Sequence, residues 1–433
     1  MNNTQLDFLS EIISYKSVGG APQTNAPYGP VSREVLDAFL EHASSLGFKT
    51  SVLMDKVGIV DIGSGDDIIA VLCHLDVVPA GDGWDTEPFK LTIMEDRLIG
   101  RGIVDDKGPA CAALFAMEKI NPSDVPSNIT IRLILGTDEE RTCDCISTYA
   151  KYGKTPVMAI TPDAEYPVIF AEKGILHLKI KSDDNTSPVL ISGGTAPNAV
   201  PSTAVAKYND RTITATGKSA HACRPDLGIN AIYKLIDLLC SEIDISNISL
   251  LKFIKDNLTT ENGINELTDC RIIDDSGSLT LNTGIINIDN KDNFIVIDIR
   301  YPVTASLEHI TDSIAKVASK YNLTISVNEH MAPLVNDINS PFISNLMDIW
   351  NSNMHKFTGF KEEYKDIHNK PIAIGGGTYA RHLKNTVAFG IQAPWQIDQC
   401  HQANESLAIQ DFEAITDIIY EAIIKMIDSI QSK

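Results

Sequence analysis

Three apolar runs in the first 170 residues each end in a histidine or a carboxylate, and this pattern constrains the chain more than any other feature. Ile68–Leu75 runs into H-L-D, with His74 and Asp76. Ile129–Leu135 runs into G-T-D-E-E, with Glu139 and Glu140. Val157–Ile160 runs into T-P-D-A-E, with Asp163. Short apolar runs alternating with helical patterns predict buried strands of an α/β sheet. Helical periodicity covers residues 4–16 and 31–46, and Pro109–Ile120 fits a helix between strands. Groups at the carboxyl ends of strands in an open α/β sheet gather along one edge. The pattern therefore places chemistry-bearing side chains together.

The middle of the chain reads differently. Leu176–Ile180, Arg211–Thr216, Ser278–Leu281 and Phe294–Ile299 look like strands, and Ile229–Ile243 and Ser306–Ser319 like helices. This is a separate α+β unit, inserted at about residue 177 and closing at about 330. The expected organisation is an α/β domain over 1–176 and 331–433, interrupted by residues 177–330. Long helices return at Phe342–Asn353 and Ala408–Ile430, around a Gly-rich loop.

Charge and composition narrow the partners. Lys+Arg is 36 and Asp+Glu is 57, for a net charge of −21. So acidic a surface repels nucleic-acid backbones and anionic membranes. No apolar run approaches the roughly 20 residues that span a bilayer. The start, MNNTQLDFLSEII, lacks the basic and apolar regions of a secretory signal, so a cytoplasmic location is expected. The eight cysteines then read as reduced thiols. Cys143 and Cys145 form a C-x-C that is a weak metal signal, and ordinary thiols in a turn are the favoured reading.

Five segments carry chemistry. On a strand, His74 and Asp76 share a face, so Asp76 is placed to hold one ring nitrogen while the other binds metal. In G-R-G-I-V-D-D-K-G-P, residues 100–109, two adjacent carboxylates repel unless a cation or proton intervenes, which makes Asp105 a candidate ligand. G-T-D-E-E and T-P-D-A-E follow buried strands, and C-H-Q-A-N-E, residues 400–405, precedes the last helix. Each alone is also what a solvated strand end or charged turn would look like. Together, His74, Asp105, Glu140, Asp163 and His401 form an N/O donor set suited to Zn²⁺, with Mn²⁺ or Co²⁺ as alternatives. Five donors suffice for two ions about 3.5–4 Å apart that share a carboxylate.

The strings H-L-D-V-V-P, G-D-G-W, G-R-G-x-x-D-D-K-G-P, G-T-D-E-E, T-P-D-A-E-Y-P, A-E-K-G, G-K-S-A-H, G-G-G-T-Y-A-R and H-Q-A-N-E run in order through most of the chain. In them the sequence resembles peptidase family M20, in its dipeptidase V (PepV-like) and Xaa-His dipeptidase branch. The resemblance implies a zinc-peptidase-like α/β catalytic domain with an inserted α+β lid. It implies that His74 and Asp163 hold one ion, Glu140 and His401 the other, and that Asp105 bridges them through a cis Asp105–Asp106 peptide. Glu139 would be the general base and Asp76 the partner of His74. His221, from the lid, would polarise the scissile carbonyl. Asn198 and Arg300 match substrate-binding positions, and the loop with Gly376, Gly377 and Thr378 would line the pocket.

The chemistry of these residue types suits peptide hydrolysis. Glu139 can take a proton from water and pass it to the leaving amine. Arg300 can grip a free carboxylate bidentately, as an unblocked dipeptide requires. The expectation is a dipeptidase with two divalent ions, working as a monomer, with a homodimer as the alternative. An N-acyl amino acid deacylase or desuccinylase is the competing enzyme, and a non-catalytic metal- or peptide-binding protein is the competing class.

Overall fold

In the computed structural model, which describes residues 1–183, 187–260 and 263–432, the apolar runs become neighbouring strands of one sheet. The order is Lys49–Leu53, Val57–Gly63, Ile129–Gly136, Asp67–His74, Met158–Thr161, Thr386–Ala388 and Ile169–Glu172. The four strands from Ile129–Gly136 to Thr386–Ala388 are parallel. In register, His74 lies opposite Gly136 and Val71 opposite Ile160. The motifs that follow these strands therefore emerge along one edge of the sheet. Asp67–His74 is buried along nearly its whole length, because parallel strands are covered on both faces.

One covering helix is Lys107–Glu118, buried from Lys107 to Met117. Its sequence, KGPACAALFAME, is apolar nearly all round, as a helix enclosed by other elements must be. It begins two residues before the expected Pro109, which sits in the first turn, where no intrahelical N–H partner is required. Phe115 on this helix makes edge contacts with Phe8 and Phe412, of the helices Asn3–Ser14 and Ile409–Gln431.

Contacts within the chain define two units. One comprises Met1–Phe170, Asn336–Ile372 and the chain from Gly377 onward; the other comprises Ala171–Val335 and Ala373–Gly376. These borders lie outside the expected 177 and 330. The reason is physical: 177 falls inside the strand Gly174–Ser182 and 330 inside Leu323–Met331, and these strands pair with each other.

The second unit is an antiparallel sheet. Its order is Arg211–Thr216, Thr203–Tyr208, Val189–Gly193, Thr280–Ile288, Asn293–Tyr301, Gly174–Ser182, Leu323–Met331. Helices Ala231–Glu242, Ser249–Asn257 and Leu307–Ser319 pack Leu235, Phe253 and Ile310 into its core. The fold is an α/β domain with an inserted α+β unit. Among the described residues, no helix is long and apolar enough to cross a membrane.

Candidate metal centre

The five expected donors converge at the carboxyl edge of the parallel strands. Donor atoms of His74, Asp105 and Glu140 all lie within 4.8 Å of one another. His74 Nε2 is 2.9 Å from Asp105 Oδ1 and 3.7 Å from Asp163 Oδ2. His401 Nε2 is 3.0 Å from Asp105 Oδ2 and 3.2 Å from Glu140 Oε2. Asp105 thus stands between the two imidazoles, one oxygen towards each. The Asp105–Asp106 peptide is cis.

The ring of His74 is oriented by its own neighbourhood. Its Nδ1 is 3.0 Å from the carbonyl oxygen of Asp76. A carbonyl can only accept, so Nδ1 carries the proton and Nε2 presents a lone pair. That lone pair faces carboxylate oxygens, an arrangement that needs a cation or a second proton between them. Among the described residues, the buried Nε2 of His74 meets only these carboxylate contacts and no hydrogen bond of good geometry, and the buried Oε1 of Glu140 has no hydrogen-bond partner.

The titration behaviour points the same way. Burial opposes a charged His74, yet Asp105, Asp76 and Asp163 hold its pKa well above the usual histidine range. Hydrogen bonds to Asp105 and Glu140 carry His401 up to about 11. Burial, with the charge of Asp105, pushes Asp163 up to about 7. Burial likewise raises Glu139 and Glu140. Asp105 is depressed, because His401 and His74 outweigh its burial. Carboxylates so crowded cannot all ionise without positive charge, and divalent cations fit this donor set. His74, Asp105, Glu140, Asp163 and His401 are the residues that could hold them.

Asp76 behaves differently from the sequence expectation. Its carboxylate is 3.5 Å from His74 Nδ1, farther than its own carbonyl. Its two oxygens instead accept the backbone N–H groups of Glu139 and Glu140. The turn between Gly136 and the helix Asp144–Tyr152 is thereby fixed on Asp76. Cys143 and Cys145 lie in this region as free, buried thiols. Cys143 Sγ donates to the Glu139 carbonyl, and Cys145 Sγ is 3.0 Å from the Tyr379 hydroxyl. Tyr379, which sequence reasoning left unassigned, packs edge-on against the His74 ring.

The expected substrate residues of the second unit have their own partners. His221 is exposed, and its Nδ1 accepts the Cys223 backbone N–H at 3.1 Å. That leaves Nε2 as the protonated nitrogen of the neutral ring. Asn198 is exposed too, and its carbonyl accepts the Ala222 N–H, joining the two loops. Arg300 is only 3% exposed. Its Nε and Nη2 donate to Asp298, and Nη1 to the Gly375 carbonyl. The partners of its fork are therefore protein groups, not the free carboxylate expected of it. Thr378 caps the short helix Tyr379–Arg381 by accepting the Ala380 N–H. Gly376 and Gly377 precede it at the border of the two units.

Two further residues shape the site without having been expected. Asp106 is fully buried, and its Oδ2 accepts the His74 N–H. Glu405 is fully buried as well and holds the turn that carries Asp105. Both stand inside motif strings, as the second acid of D-D and the last letter of H-Q-A-N-E, but the sequence does not say where their oxygens point.

Known proteins resemble this chain in sequence and in fold. A Staphylococcus haemolyticus protein named "Putative dipeptidase" is 32% identical, over 96% of each chain. Human carnosine dipeptidase 1 has the same fold with a TM-score of 0.60, at 15% identity, over 98% of this chain and 96% of that one. Aminoacylhistidine dipeptidase from Vibrio alginolyticus gives 0.58 at 13% identity, over 98% and 96%. The sequence profile described as Peptidase family M20/M25/M40 matches residues 70–425, most of the chain, and the chain therefore belongs to that metallopeptidase family.

Proposed function

We propose that the protein is a dipeptidase that hydrolyses unblocked dipeptides with two divalent ions, Zn²⁺ foremost, held by His74, Asp105, Glu140, Asp163 and His401. The observation that carries this reading is the placement of the Asp105 carboxylate between two imidazoles, 2.9 Å from His74 and 3.0 Å from His401. The dipeptidase name of the staphylococcal relative supports the substrate class.

Ions bound there would supply Lewis acidity and a water acidic enough to react at neutral pH. Glu139 would accept a proton as the water oxygen bonds to the scissile carbonyl carbon. It would return that proton to the amide nitrogen as the C–N bond breaks, releasing two amino acids. Asp76 holds the backbone of Glu139 and Glu140, keeping base and ligand in fixed relation. His221, with a proton on Nε2, would donate to the carbonyl oxygen as negative charge develops. Asn198 and the loop at Gly376, Gly377 and Thr378 are assigned to substrate. Arg300, through its bond to the Gly375 carbonyl, is assigned to holding that loop. The inserted unit is assigned the part of a lid, and the enzyme that of a cytoplasmic monomer.

Purified protein assayed on free dipeptides and on N-acyl amino acids, with Zn²⁺, Mn²⁺ or EDTA, tests the reading. Metal-dependent cleavage of free dipeptides is expected. Cleavage of acyl amino acids alone would move the assignment to a deacylase. Dipeptide binding without turnover by metal-loaded protein would make it a binding protein.

A further inference from the structure

The side chain of Glu405 is enclosed completely and makes an unusual set of bonds. Its Oε1 accepts the backbone N–H of Val104 at 2.7 Å, of Gly102 at 3.1 Å and of Asp105 at 3.2 Å. Its Oε2 accepts Gly102 N–H at 3.0 Å and Arg101 Nη1 at 2.7 Å. Its main-chain carbonyl accepts Gly100 N–H at 3.1 Å. The whole turn from Gly100 to Asp105 is thus wrapped on one residue that lies 300 positions later in the sequence. Arg101, itself 1% exposed, also donates to the Ala80 carbonyl and lies over the Trp84 ring.

Glu405 stands four residues after His401, in a segment whose backbone is strained. His401 and Asn404 both have left-handed conformations, with φ of +64° and +61°. Such a conformation at a non-glycine residue persists only where its surroundings hold it. The surroundings are visible. Asn404 exchanges hydrogen bonds with Asp85, and Gln399 accepts from the N–H and hydroxyl of Ser406. Glu405 closes the set by fastening this segment to the turn that carries Asp105.

We propose that Glu405 is a positioning residue for the metal centre, setting the Asp105 carboxylate and the His401 imidazole at one fixed separation through its bonds to the Gly102–Asp105 backbone and to Arg101. In this role it acts through Asp105 and His401, its carboxylate being bonded to protein groups. The proposal rests on the reading that Asp105 and His401 are ligands. A glutamine there keeps the shape but offers one acceptor oxygen where the turn presents donors to two. Its NH₂ group would confront Arg101 and the Gly102 N–H.

The test is titration of the metal-free full chain with Co²⁺, followed by visible absorption and by competition with a chelator of known affinity. Wild type is expected to take up two equivalents. Glu405→Gln is expected to bind about 10–100-fold more weakly, with an altered absorption envelope, the range seen when groups that orient ligands are lost. Arg101→Lys keeps the carboxylate and its backbone donors but loses the fork, and is expected to weaken binding by a smaller factor. A folded Glu405→Gln with wild-type affinity and spectrum would overturn the proposal, whatever its urea midpoint. So would an unfolded Glu405→Gln beside an Arg101→Lys that binds like wild type, since Glu405 would then serve folding alone. Wild-type protein that takes up no Co²⁺ would instead sink the metal reading on which the proposal stands.

Discussion

The carboxylate of Asp76 accepts the backbone N–H of Glu139 at 3.1 Å, so the group expected to act as base is anchored by a residue that emerges from a neighbouring strand. The other Asp76 oxygen takes the Glu140 N–H at 3.0 Å, and the Asp76 carbonyl takes His74 Nδ1. One residue therefore orients an imidazole and two acids. Asp76→Ala is expected to weaken Zn²⁺ binding by about 10–100-fold. Competition with a chromogenic chelator measures this, and wild-type affinity would contradict the anchoring role.

Glu139 is expected to act on the proton and not on the ion. Glu139→Gln should lower kcat by about 10²–10⁴-fold, the usual contribution of a positioned general base. Zn²⁺ content, measured by elemental analysis after gel filtration, should stay at the wild-type value. Loss of both activity and metal would place Glu139 among the ligands instead.

Removing metal should abolish hydrolysis and also loosen the fold. Ions that bind only the native chain add about 2.7 kcal/mol when present at 100 times their dissociation constant. A thermal melt of EDTA-treated protein should therefore shift upward on adding Zn²⁺. An unchanged melt at saturating Zn²⁺ would count against a native-state site.

Much of this fold was legible because burial writes itself into composition. Asp67–His74 and Ile129–Gly136 are covered on both faces and appear as apolar runs. Lys49–Leu53, with the sequence KTSVL, has no such run and was missed. Thr386–Ala388 is wholly buried but only three residues long, too short for any pattern. Leu323–Met331 lies at a sheet edge with most of its residues exposed, so its alternation is lost.

The donors of the site were legible for a different reason: four end or follow a strand or sit in a Gly-rich turn, where side chains reach the sheet edge, and His401 stands in the H-Q-A-N-E string before the last helix. Their supports were not, because Glu405 binds main-chain N–H groups, whose directions no sequence records. The partner of Arg300 could have been found. D-I-R at 298–300 puts Asp298 and Arg300 on one face of a strand, where they meet as a bidentate pair.

That pair extends to a histidine with a pH consequence. His177 Nε2 lies 3.0 Å from Asp298 and its Nδ1 2.9 Å from Glu329. Burial opposes the charged ring and Arg300 repels it, but Asp298 and Glu329 hold its pKa above the usual value. A group raised by folding stabilises fully below its unfolded pKa of about 6.5, and that share is lost as pH rises through the higher folded value. The urea midpoint of wild type minus that of His177→Gln should therefore shrink as pH rises above about 6.5. A difference that grows with pH would invert the assignment.

Phe115 offers a test of packing alone. It is 2% exposed and meets Phe8 and Phe412 at ring separations of 6.3 and 6.1 Å. Phe115→Ala should cost about 3–5 kcal/mol of stability, the range for truncating a buried aromatic. Urea unfolding reads the loss, and a cost below about 1 kcal/mol would mean the helices close over the gap.

Four of the five donors, from His74 to Asp163, precede the inserted unit, while His401 and Glu405 follow it. More than two hundred residues separate Asp163 from His401. On a ribosome adding about 5–20 residues per second, that stretch takes on the order of tens of seconds. During that interval the emerging chain carries four of the five expected donors but neither His401 nor Glu405. The five expected donors can therefore meet only after the whole inserted unit has been synthesised.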